Sequence, residues 1–217
     1  MKSFCIIGLG KLGQTLAEAL TADGKEVLVI DVDADKVNMI ADNVTNAIIG
    51  DCTNDAVLKA AGVADYECAI VCIAENINAN VLLTLKLKEM GIKKVIARAI
   101  NDGHRRVLEK VGADMIIFPE KDIGERLAFT LARDRVTDFI EFKGFQIAEI
   151  TVPSKWVGKT VIELDVRKKY GINIIAVTAD DGTVTVSPSA TRPFMKGDLV
   201  SIVGNDEQVQ DCLKKFE

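Results

Sequence analysis

The chain has 217 residues, of which 48% are hydrophobic and 27% charged, a balance typical of a globular protein with a well-buried core. A chain of this length accommodates one ordinary domain and a smaller second one. The formal net charge of −5 argues against a general nucleic-acid-binding protein, because such proteins need clustered lysine and arginine.

Short runs of β-branched residues alternate with helical stretches over the first 120 residues. The strand-like runs are almost continuously apolar, which is typical of a parallel sheet covered on both faces. With right-handed crossovers, this order predicts an α/β fold with a Rossmann-like, doubly wound sheet. The predicted strands are 4–8, 26–31, 46–50, 68–73, 94–99 and 114–118, and the predicted helices are 12–22, 34–41, 54–61, 77–90 and 103–111.

The pattern changes after Pro119. The segment 121–138 has a broad apolar stripe and is predicted as one long helix, which we interpret as a connector or a dimer element. From Gly144 onward the pattern predicts a separate α+β domain, which is small enough to gain stability from dimerisation. Its predicted elements are an alternating strand 145–152, a helix 160–169, a strand 172–178, a hairpin turn at 180–182, strands 183–187 and 198–203, and a helix 205–215. The predicted domains are therefore 1–120 and 144–217, joined by a connector helix and crossover over 121–143.

A glycine-rich loop, Gly8-Leu9-Gly10-Lys11-Leu12-Gly13, lies between the first predicted strand and the first predicted helix. In this pattern the first glycine permits a tight turn, the second lets a phosphate approach the backbone, and the third lets helix and strand pack closely. The helix N-terminus adds free N–H groups for an anion. Asp31 ends the second predicted strand, where a carboxylate can accept both ribose hydroxyls. These features predict a nucleotide site, and a glycine turn kept only for packing is the alternative.

Further candidate residues follow the other strands, because ligands of open α/β sheets bind at the carboxyl ends of the strands. Asp51 could reach the adenine side, and Ala74 is small enough for close backbone approach. Lys11 lies inside the glycine loop, where a cation can pair with a terminal phosphate that a dinucleotide lacks. Lys11 therefore favours ATP or ADP over NAD, and a solvated loop cation is the alternative. The remaining residues of this set are Gly50, Cys52, Ile73, Glu75, Asn76, Arg98 and Glu120.

The residues that a catalysed reaction needs are not evident in the sequence. A dehydrogenase requires a proton-transfer residue and a substrate pocket. The single histidine, His104, starts the helix after the fifth predicted strand and has no evident partner as a general acid. A surface position, or a contact with a phosphate or nucleotide, are its other interpretations. A nucleotide held without evident chemistry indicates a sensor rather than an enzyme.

The cysteines and the apolar runs bear on where the chain is found. The five cysteines, Cys5, Cys52, Cys68, Cys72 and Cys212, lack metal-ligand spacing, so we interpret them as buried free thiols in a reducing cytosol. Cys68 and Cys72 would point to one face of a strand. The longest apolar runs are about eight residues, whereas a membrane span takes about 20. We therefore expect a soluble, cytoplasmic protein with no secretory signal and no direct membrane insertion.

The whole chain resembles the regulator-of-conductance-of-potassium (RCK) family, specifically the KtrA/TrkA-type cytosolic regulatory subunits of bacterial potassium transporters. The motifs that carry the resemblance extend from the glycine loop into the C-terminal part of the chain. They are Ile7–Gly13 (IGLGKLG), Asp31–Asp33 (DVD), Gly50–Thr53 (GDCT), Ala74–Asn80 (AENINAN), Lys110–Asp114 (KVGAD), Pro119–Gly124 (PEKDIG) and Leu164–Asn173 (LDVRKKYGIN).

The resemblance implies a TrkA-N domain, then a TrkA-C domain, in a homodimer that assembles into an octameric ring. The ring would lie at the inner face of the cell membrane, beneath a membrane-embedded, KtrB/TrkH-like potassium-translocating partner. ATP and ADP would compete for the first domain, with ATP favouring activity. NAD or NADH stays open as the ligand, because TrkA-like members of the family bind them as well.

The resemblance also implies roles for individual residues. Lys11 takes the place of an arginine that contacts terminal phosphates, and lysine lacks the planar fork that grips a phosphate through two hydrogen bonds. Asp31 and Asp33 would hold the ribose. Glu120 would lie near the phosphates at the dimer interface and could bind a divalent or monovalent cation. The nucleotide-binding set is Gly8, Gly10, Lys11, Leu12, Gly13, Asp31, Val32, Asp33, Asp51, Cys52, Ile73, Ala74, Glu75, Arg98, His104 and Glu120.

A second ligand, cyclic di-AMP, is implied for the C-terminal domain, where family members often bind it between two subunits. Arg167 suits a phosphate and Asn173 suits an adenine edge. The matching positions are Val161, Ile162, Arg167, Asn173, Ile174 and Pro188. The apolar members of this set would also serve as core or dimer contacts without any ligand.

Two other functions are alternatives to a regulatory subunit of a potassium transporter. One is a small NAD(P)-dependent oxidoreductase of the Rossmann type, which the lack of an evident catalytic acid disfavours. The other is an RCK-type ligand-binding module that regulates a different transporter. The sequence favours the non-enzymatic regulatory subunit of a potassium uptake system over both.

Overall fold

The computed structural model describes residues 1–215 of the chain. The chain divides into two compact units, Met1–Glu120 and Lys121–Glu217. Each unit has a sheet and a hydrophobic core of its own. Within residues 1–215, no helix combines the length and the apolar character that a membrane crossing requires.

The first unit is built on a six-stranded parallel sheet, which confirms the predicted Rossmann-like fold. The strands are β1 (Ser3–Ile7), β2 (Glu26–Asp31), β3 (Asn46–Ile49), β4 (Cys68–Val71), β5 (Lys94–Arg98) and β6 (Met115–Ile117), in the order β3-β2-β1-β4-β5-β6. The helices are α1 (Lys11–Ala22), α2 (Ala34–Ile40), α3 (Asp55–Ala60), α4 (Ile77–Glu89) and α5 (Asp102–Lys110), with short 3-10 turns at Ala41–Asn43 and Val63–Asp65. Helix α6 (Pro119–Leu131) begins at the end of this unit and lies mostly in the second.

Both faces of this sheet are buried, as the apolar runs predict. Alternate residues of β1 enter different cores, Ile7 on one face and Ile6 on the other. In β4, all four residues are buried. The covering helices therefore leave only the ends of the strands free for a ligand.

The strand order reverses between β1 and β4, which are neighbours in the sheet. From β1 the chain runs outward through β2 to β3, and then crosses back to β4 before running out to β6. In sheets of this kind the loops at the reversal diverge and leave a crevice at the carboxyl ends of the strands. The glycine loop and the segment after β4 therefore border this crevice.

The second unit contains a five-stranded antiparallel sheet. The strands are β7 (Val136–Phe142), β8 (Phe145–Thr151), β9 (Asn173–Thr178), β10 (Val184–Val186) and β11 (Leu199–Gly204), in the order β10-β9-β11-β8-β7, and the helices are α7 (Val161–Leu164), α8 (Val166–Tyr170) and α9 (Asp206–Lys214). Strand β8 alternates as predicted: Gln146, Ala148 and Ile150 are buried, while the residues between them are more exposed.

The prediction of one helix over 121–138 is wrong in its last part. Helix α6 begins at Pro119 and ends at Leu131, and Val136–Phe142 forms strand β7, which pairs with β8 through a tight turn at Gly144. The segment VTDFIEF is rich in β-branched and aromatic residues, which suit a strand. Val136 and Phe139 are buried because β7 pairs with β8, and they do not continue the apolar stripe of α6.

The helix predicted over 160–169 is two short helices instead of one. Asp165 has φ +46°, a left-handed conformation that ends α7 and starts α8. The predicted hairpin turn is confirmed: Gly182 has φ +83° and connects β9 to β10. The N–H of Ala179 donates to the Thr183 carbonyl across this turn at 2.9 Å.

The interpretation of the cysteines as buried free thiols is confirmed for all five residues. Cys68 and Cys72 contribute to the same core, as their spacing predicts. Burial raises the pKa of Cys72 and of Cys212 to about 12. At neutral pH these thiols are therefore protonated apolar groups that pack in the core.

Candidate functional site

The glycine loop after β1 is shaped by two close backbone contacts. Gly8 has φ +98°, and a Cβ on it would lie 3.1 Å from the backbone nitrogen of Ile73. A Cβ on Gly13 would lie 2.0 Å from the Gly8 carbonyl oxygen, a distance that no methyl group tolerates. A Cβ on Gly10 would meet no atom within 4 Å. The first and third glycines are thus required for packing, whereas the space above Gly10 is open to a ligand.

The N-terminus of α1 is the one among α1 to α5 that has no side-chain cap. Gly10 is its N-cap residue and has no side chain to accept a hydrogen bond. Oxygen atoms of Asp33, Asn54, Asn76 and Asn101 cap α2, α3, α4 and α5, respectively. The first N–H groups of α1 therefore remain available as donors to an anion, and the helix dipole favours one there.

Asp31 holds the glycine loop from the side of β2. Its Oδ2 atom accepts a short hydrogen bond from the Leu9 N–H, and its Oδ1 atom accepts one from the Asp33 N–H at 2.9 Å. A carboxylate oxygen has two lone pairs, so each oxygen retains the capacity to accept one more hydrogen bond. Asp31 is therefore oriented by the backbone in the place where a ribose diol can reach it.

The neighbouring carboxylates Asp33 and Asp51 have local backbone partners. Asp33 caps α2, and the hydrogen bond from the Lys36 N–H is the main reason why its carboxyl pKa lies below the usual range. The Asp51 carboxylate accepts hydrogen bonds from the N–H and the hydroxyl of Thr53, both at 2.8 Å, which lower its pKa. Both side chains are therefore ionised at neutral pH and shape turns at the strand ends.

On the other side of the crevice, Arg98 at the end of β5 forms an ion pair with Glu120. The Arg98 side chain is 16% exposed, and its buried Nε atom has no hydrogen-bond partner among residues 1–215. A guanidinium with an unused donor is a suitable partner for a phosphate. The structure therefore places a cation at this edge of the sheet, with a carboxylate already beside it.

Asn80 on α4 is a residue that the sequence analysis quoted only within a motif. It is fully buried, and its amide nitrogen donates to the carbonyls of Ile73 at 2.7 Å and Arg98 at 3.0 Å. It thereby ties the ends of β4 and β5 together. An asparagine directly before the apolar run of α4 is the sequence signal that could have identified this role.

The other predicted nucleotide-binding residues differ in their exposure. Lys11 is exposed and forms no ion pair with any residue in 1–215. Leu12 packs against the core, Cys52 is buried, and Val32 is 67% exposed. Ile73 and Ala74 are half-buried and Glu75 is exposed. Their contacts with a nucleotide stay a prediction, since burial alone does not decide them.

The interpretation of His104 as a surface residue is wrong. The residue is 4% exposed, and both ring nitrogens are buried without a hydrogen-bond partner in the described part of the chain. Burial lowers its pKa, so the ring is neutral at physiological pH. It lies one turn before the buried Leu108 on the same face of α5. A contact between this ring and a nucleotide would need α5 to move, and it stays a prediction.

The proposed cation site at Glu120 is also untested. Residues 1–215 contain no group of three or more histidine, cysteine, aspartate or glutamate side chains arranged to hold a metal ion. The Glu120 carboxylate is 59% exposed and faces Arg98. A cation there would need further oxygen ligands, such as those of a bound phosphate.

In the second unit, two residues of the predicted second-ligand set lie together. Arg167 on α8 is exposed, and its Nε atom donates to the Asn173 side-chain oxygen at 2.7 Å. This contact orients the guanidinium at the start of β9. A phosphate and an adenine edge could therefore be bound next to each other on this surface.

The apolar members of the set are divided between core and surface. Val161 and Ile174 pack against the core of the second unit, whereas Ile162 is 62% exposed. The Ile162 N–H donates to the Ala190 carbonyl at 3.2 Å, which brings α7 beside the turn that contains half-buried Pro188. A ligand at this surface would thus meet Ile162 more readily than Val161 or Ile174.

Comparisons with known proteins find two domain families in the chain. The TrkA-N domain model matches residues 4–119, and the TrkA-C domain model matches residues 146–217. The first match contains the carboxyl ends of β1 to β6, and the second contains Arg167 and Asn173.

Two named relatives from Bacillus subtilis match nearly the whole chain. The Ktr system potassium uptake protein C of Bacillus subtilis is 41% identical over 205 residues, 94% of this chain and 92% of that protein. The Ktr system potassium uptake protein A of the same organism is 37% identical over 217 residues, 100% of this chain and 96% of that protein. Among solved structures, the RCK domain of GsuK is similar with a TM-score of 0.68 at 22% identity, over 99% of this chain and 47% of that one, which supports the fold.

The two glycines with opposite surroundings give a matched pair of substitutions. We expect Gly13→Ala to lower the free energy of unfolding by about 3 kcal/mol or more, because the methyl group would force α1 away from β1. Gly10→Ala should cost less than about 1 kcal/mol, since the methyl group has room and only a helix N-cap is changed. Urea unfolding followed by circular dichroism measures both values. Equal stabilities of the two variants would contradict the packing role of Gly13.

Proposed function

The chain belongs to the family in which a TrkA-N domain precedes a TrkA-C domain, as in the RCK-type Ktr potassium uptake proteins, and we propose that it is the nucleotide-sensing regulatory subunit of a potassium uptake system. The observation that carries this proposal is the uncapped N-terminus of α1, with open space above Gly10 and Asp31 fixed beside it. The identity to proteins named for potassium uptake, over almost the full length of both chains, supports the transport system. The partner would be a membrane-embedded, KtrB/TrkH-like subunit, at the inner face of the membrane.

The charges at the strand ends indicate how a nucleotide would lie. Asp31 ends β2 and Asp51 follows β3 on one side of the glycine loop, while Arg98 ends β5 on the other. Phosphates would be repelled by the carboxylates and attracted to the α1 N-terminus and Arg98. The ribose would therefore contact Asp31, and the phosphates would extend over Gly10 towards β4 and β5.

ATP or ADP is the ligand that we favour, with NAD or NADH as the alternative. Lys11 is exposed and has no ion pair in the described part of the chain, so its ammonium group is free to contact a terminal phosphate. A nucleotide with a terminal phosphate gains this contact, and a dinucleotide does not. A lysine contact is a single point charge, so it discriminates less than an arginine would.

Regulation requires the ligand to bind two states of the protein with different affinity. We propose that a homodimer, assembled into an octameric ring, supplies these states. On α6, Ile123, Leu127 and Leu131 are 66%, 54% and 75% exposed and recur at every fourth residue. Such a row of exposed apolar side chains suits a second copy of the chain. We expect no catalysed step, and purified protein should not oxidise NADH with small carbonyl substrates.

The second unit is proposed to bind cyclic di-AMP, as a further regulatory ligand. The support is the Arg167–Asn173 pair, which offers a guanidinium and an amide side by side on an exposed surface. The exposed Ile162 would add an apolar contact for an adenine ring.

The ribose contact predicts the effect of changing Asp31. Asp31→Ala should lower the affinity for ATP, ADP and NADH roughly a hundredfold, because two hydrogen bonds to an ionised acceptor are lost. Isothermal titration calorimetry measures the affinities, and circular dichroism checks that the variant is folded. Asp23→Ala, at an exposed carboxylate after α1, is the matched control and should bind as the unaltered protein does. Unchanged affinities in the Asp31 variant would refute the nucleotide site.

Lys11 predicts a difference between two nucleotides. Lys11→Ala should weaken ATP roughly tenfold and ADP only slightly, because the lost contact is with the terminal phosphate. Titrations with each nucleotide give the two ratios, and Lys59→Ala on α3 controls for the loss of one exposed lysine. If ATP and ADP lose affinity equally, Lys11 does not read the terminal phosphate.

Arg167 predicts a loss that is confined to the second ligand. Arg167→Ala should reduce the stabilisation by cyclic di-AMP in a thermal-shift assay and leave that by ATP unchanged, since the stabilisation of the native state by a bound ligand increases with the logarithm of its affinity. Lys168→Ala, at the adjacent exposed residue, is the control. Equal shifts with cyclic di-AMP in both variants would remove Arg167 from the site.

A further inference from the structure

Two loops of the second unit lie side by side and form one small surface. The segment 154–159 follows β8, and the segment 192–196 precedes β11. The Gly158 N–H donates to the Phe194 carbonyl at 2.8 Å, and the Phe194 N–H donates to the Lys159 carbonyl at 2.9 Å. The two loops are thus joined by their backbones and present their side chains together.

Two buried aromatic side chains lie beneath this surface. Trp156 and Phe194, one from each loop, are 2% and 0% exposed, and their ring centroids are 5.8 Å apart. Both belong to the hydrophobic core of the second unit. The neighbouring side chains cannot join that core, and Val157 and Met195 are left 40% and 57% exposed. Val157 pairs with Phe194, the residue before Met195, in an isolated β-bridge, so the exposed apolar residues come from two adjoining segments of backbone.

The same loops carry lysines and no carboxylates. Lys155, Lys159 and Lys196 are exposed, and none of them has an ion-pair partner within 4 Å among residues 1–215. We refer to Lys155, Val157, Lys159, Met195 and Lys196 as the basic apolar patch. Its positive charge stands out in a chain whose net charge is −5.

The carboxylates near the basic apolar patch neutralise it only in part. Asp198 is 1% exposed and pairs with Arg192. Glu163 is exposed, and its carboxyl pKa is lowered by hydrogen bonds from the N–H and the hydroxyl of Thr160 and also by the charge of Lys159. Asp180, which lies against Gly197, is a second exposed carboxylate. Three lysines against two exposed carboxylates leave the patch with a net positive charge around an apolar centre.

We propose that the basic apolar patch binds the surface of a membrane that contains anionic phospholipids. Lysine ammonium groups are attracted to anionic headgroups, and the long side chains can reach them while the apolar groups between them enter the interface. Val157 and Met195 supply such apolar groups. Three lysines are fewer than a purely electrostatic membrane anchor uses, so the apolar pair is a necessary part of the site.

The chemistry favours a lipid surface over a nucleic acid. Proteins that bind single strands stack bases on exposed aromatic rings, whereas the two aromatic rings of these loops are buried. Methionine and valine side chains offer no hydrogen bonds to a base. A bilayer interface, in contrast, accepts both the charges and the apolar tips of the patch.

The proposal is tested by flotation of the full chain with vesicles of phosphatidylglycerol mixed with phosphatidylcholine, and with vesicles of phosphatidylcholine alone. We expect binding to the first kind of vesicle at low salt and none to the second. Combining Lys155→Gln, Lys159→Gln and Lys196→Gln should lower the partition coefficient roughly a hundredfold, at about fivefold for each lysine. The matched control combines Lys59→Gln, Lys110→Gln and Lys143→Gln, three exposed lysines outside the patch, and should bind as the unaltered chain does.

A second variant separates insertion from charge attraction. Val157→Thr with Met195→Gln keeps every charge and should lower the partition coefficient severalfold, because the apolar contact is lost. ATP titrations of the same variants should be unchanged, so failure here is distinguishable from failure of the nucleotide site. The proposal is overturned if the chain does not bind anionic vesicles, or if the two lysine triples weaken binding equally. Binding of an oligonucleotide with the same lysine dependence, in place of vesicles, would also overturn it.

Discussion

The approach of α1 to the end of β1 is the constraint on which the candidate nucleotide site depends. Helix and strand come so close that a methyl group at Gly13 would lie 2.0 Å from the Gly8 carbonyl oxygen. This contact directs the uncapped end of α1 towards the reversal between β1 and β4. Asp31 fixes the same loop through the Leu9 N–H. Because the loop is held by backbone contacts, its donors are already in place when an anion arrives, and little entropy is lost on binding.

The first unit could be predicted almost completely from the sequence, and the second unit except for strand β7 and the break between α7 and α8. Buried parallel strands read as apolar runs, and each run is bounded by residues that turn or cap, so the strand ends differ from expectation by only a few residues. The segment 121–138 was predicted less well because a helical stripe runs directly into a β-prone segment. Strand β7 exists because β8 pairs with it, and such a non-local contact is absent from local periodicity.

The candidate site shows the same division between local and non-local causes. The packing roles of Gly8 and Gly13 follow from their spacing, since the geometry of a strand, a turn and a helix fixes them. The burial of His104 and the bridge made by Asn80 depend on how α4 and α5 pack on the sheet. A polar residue in a helix has no local signature that separates a buried tie from a ligand contact. A residue's position near a strand end is therefore weaker evidence for a binding site than the glycine spacing of the loop after β1.

The pair of Arg98 and Glu120 connects the proposed ligand to the rest of the chain. Glu120 lies in the first turn of α6, where the helix dipole stabilises a carboxylate even without a counter-ion. A phosphate that binds Arg98 would compete with Glu120 for the same guanidinium, because the phosphate and the carboxylate are both anions that accept hydrogen bonds from its N–H groups. The carboxylate would then be free to bind a cation together with that phosphate, or to leave Arg98. In the proposed function, a ligand at the end of β5 would thus act on the start of α6 by an exchange of ion pairs.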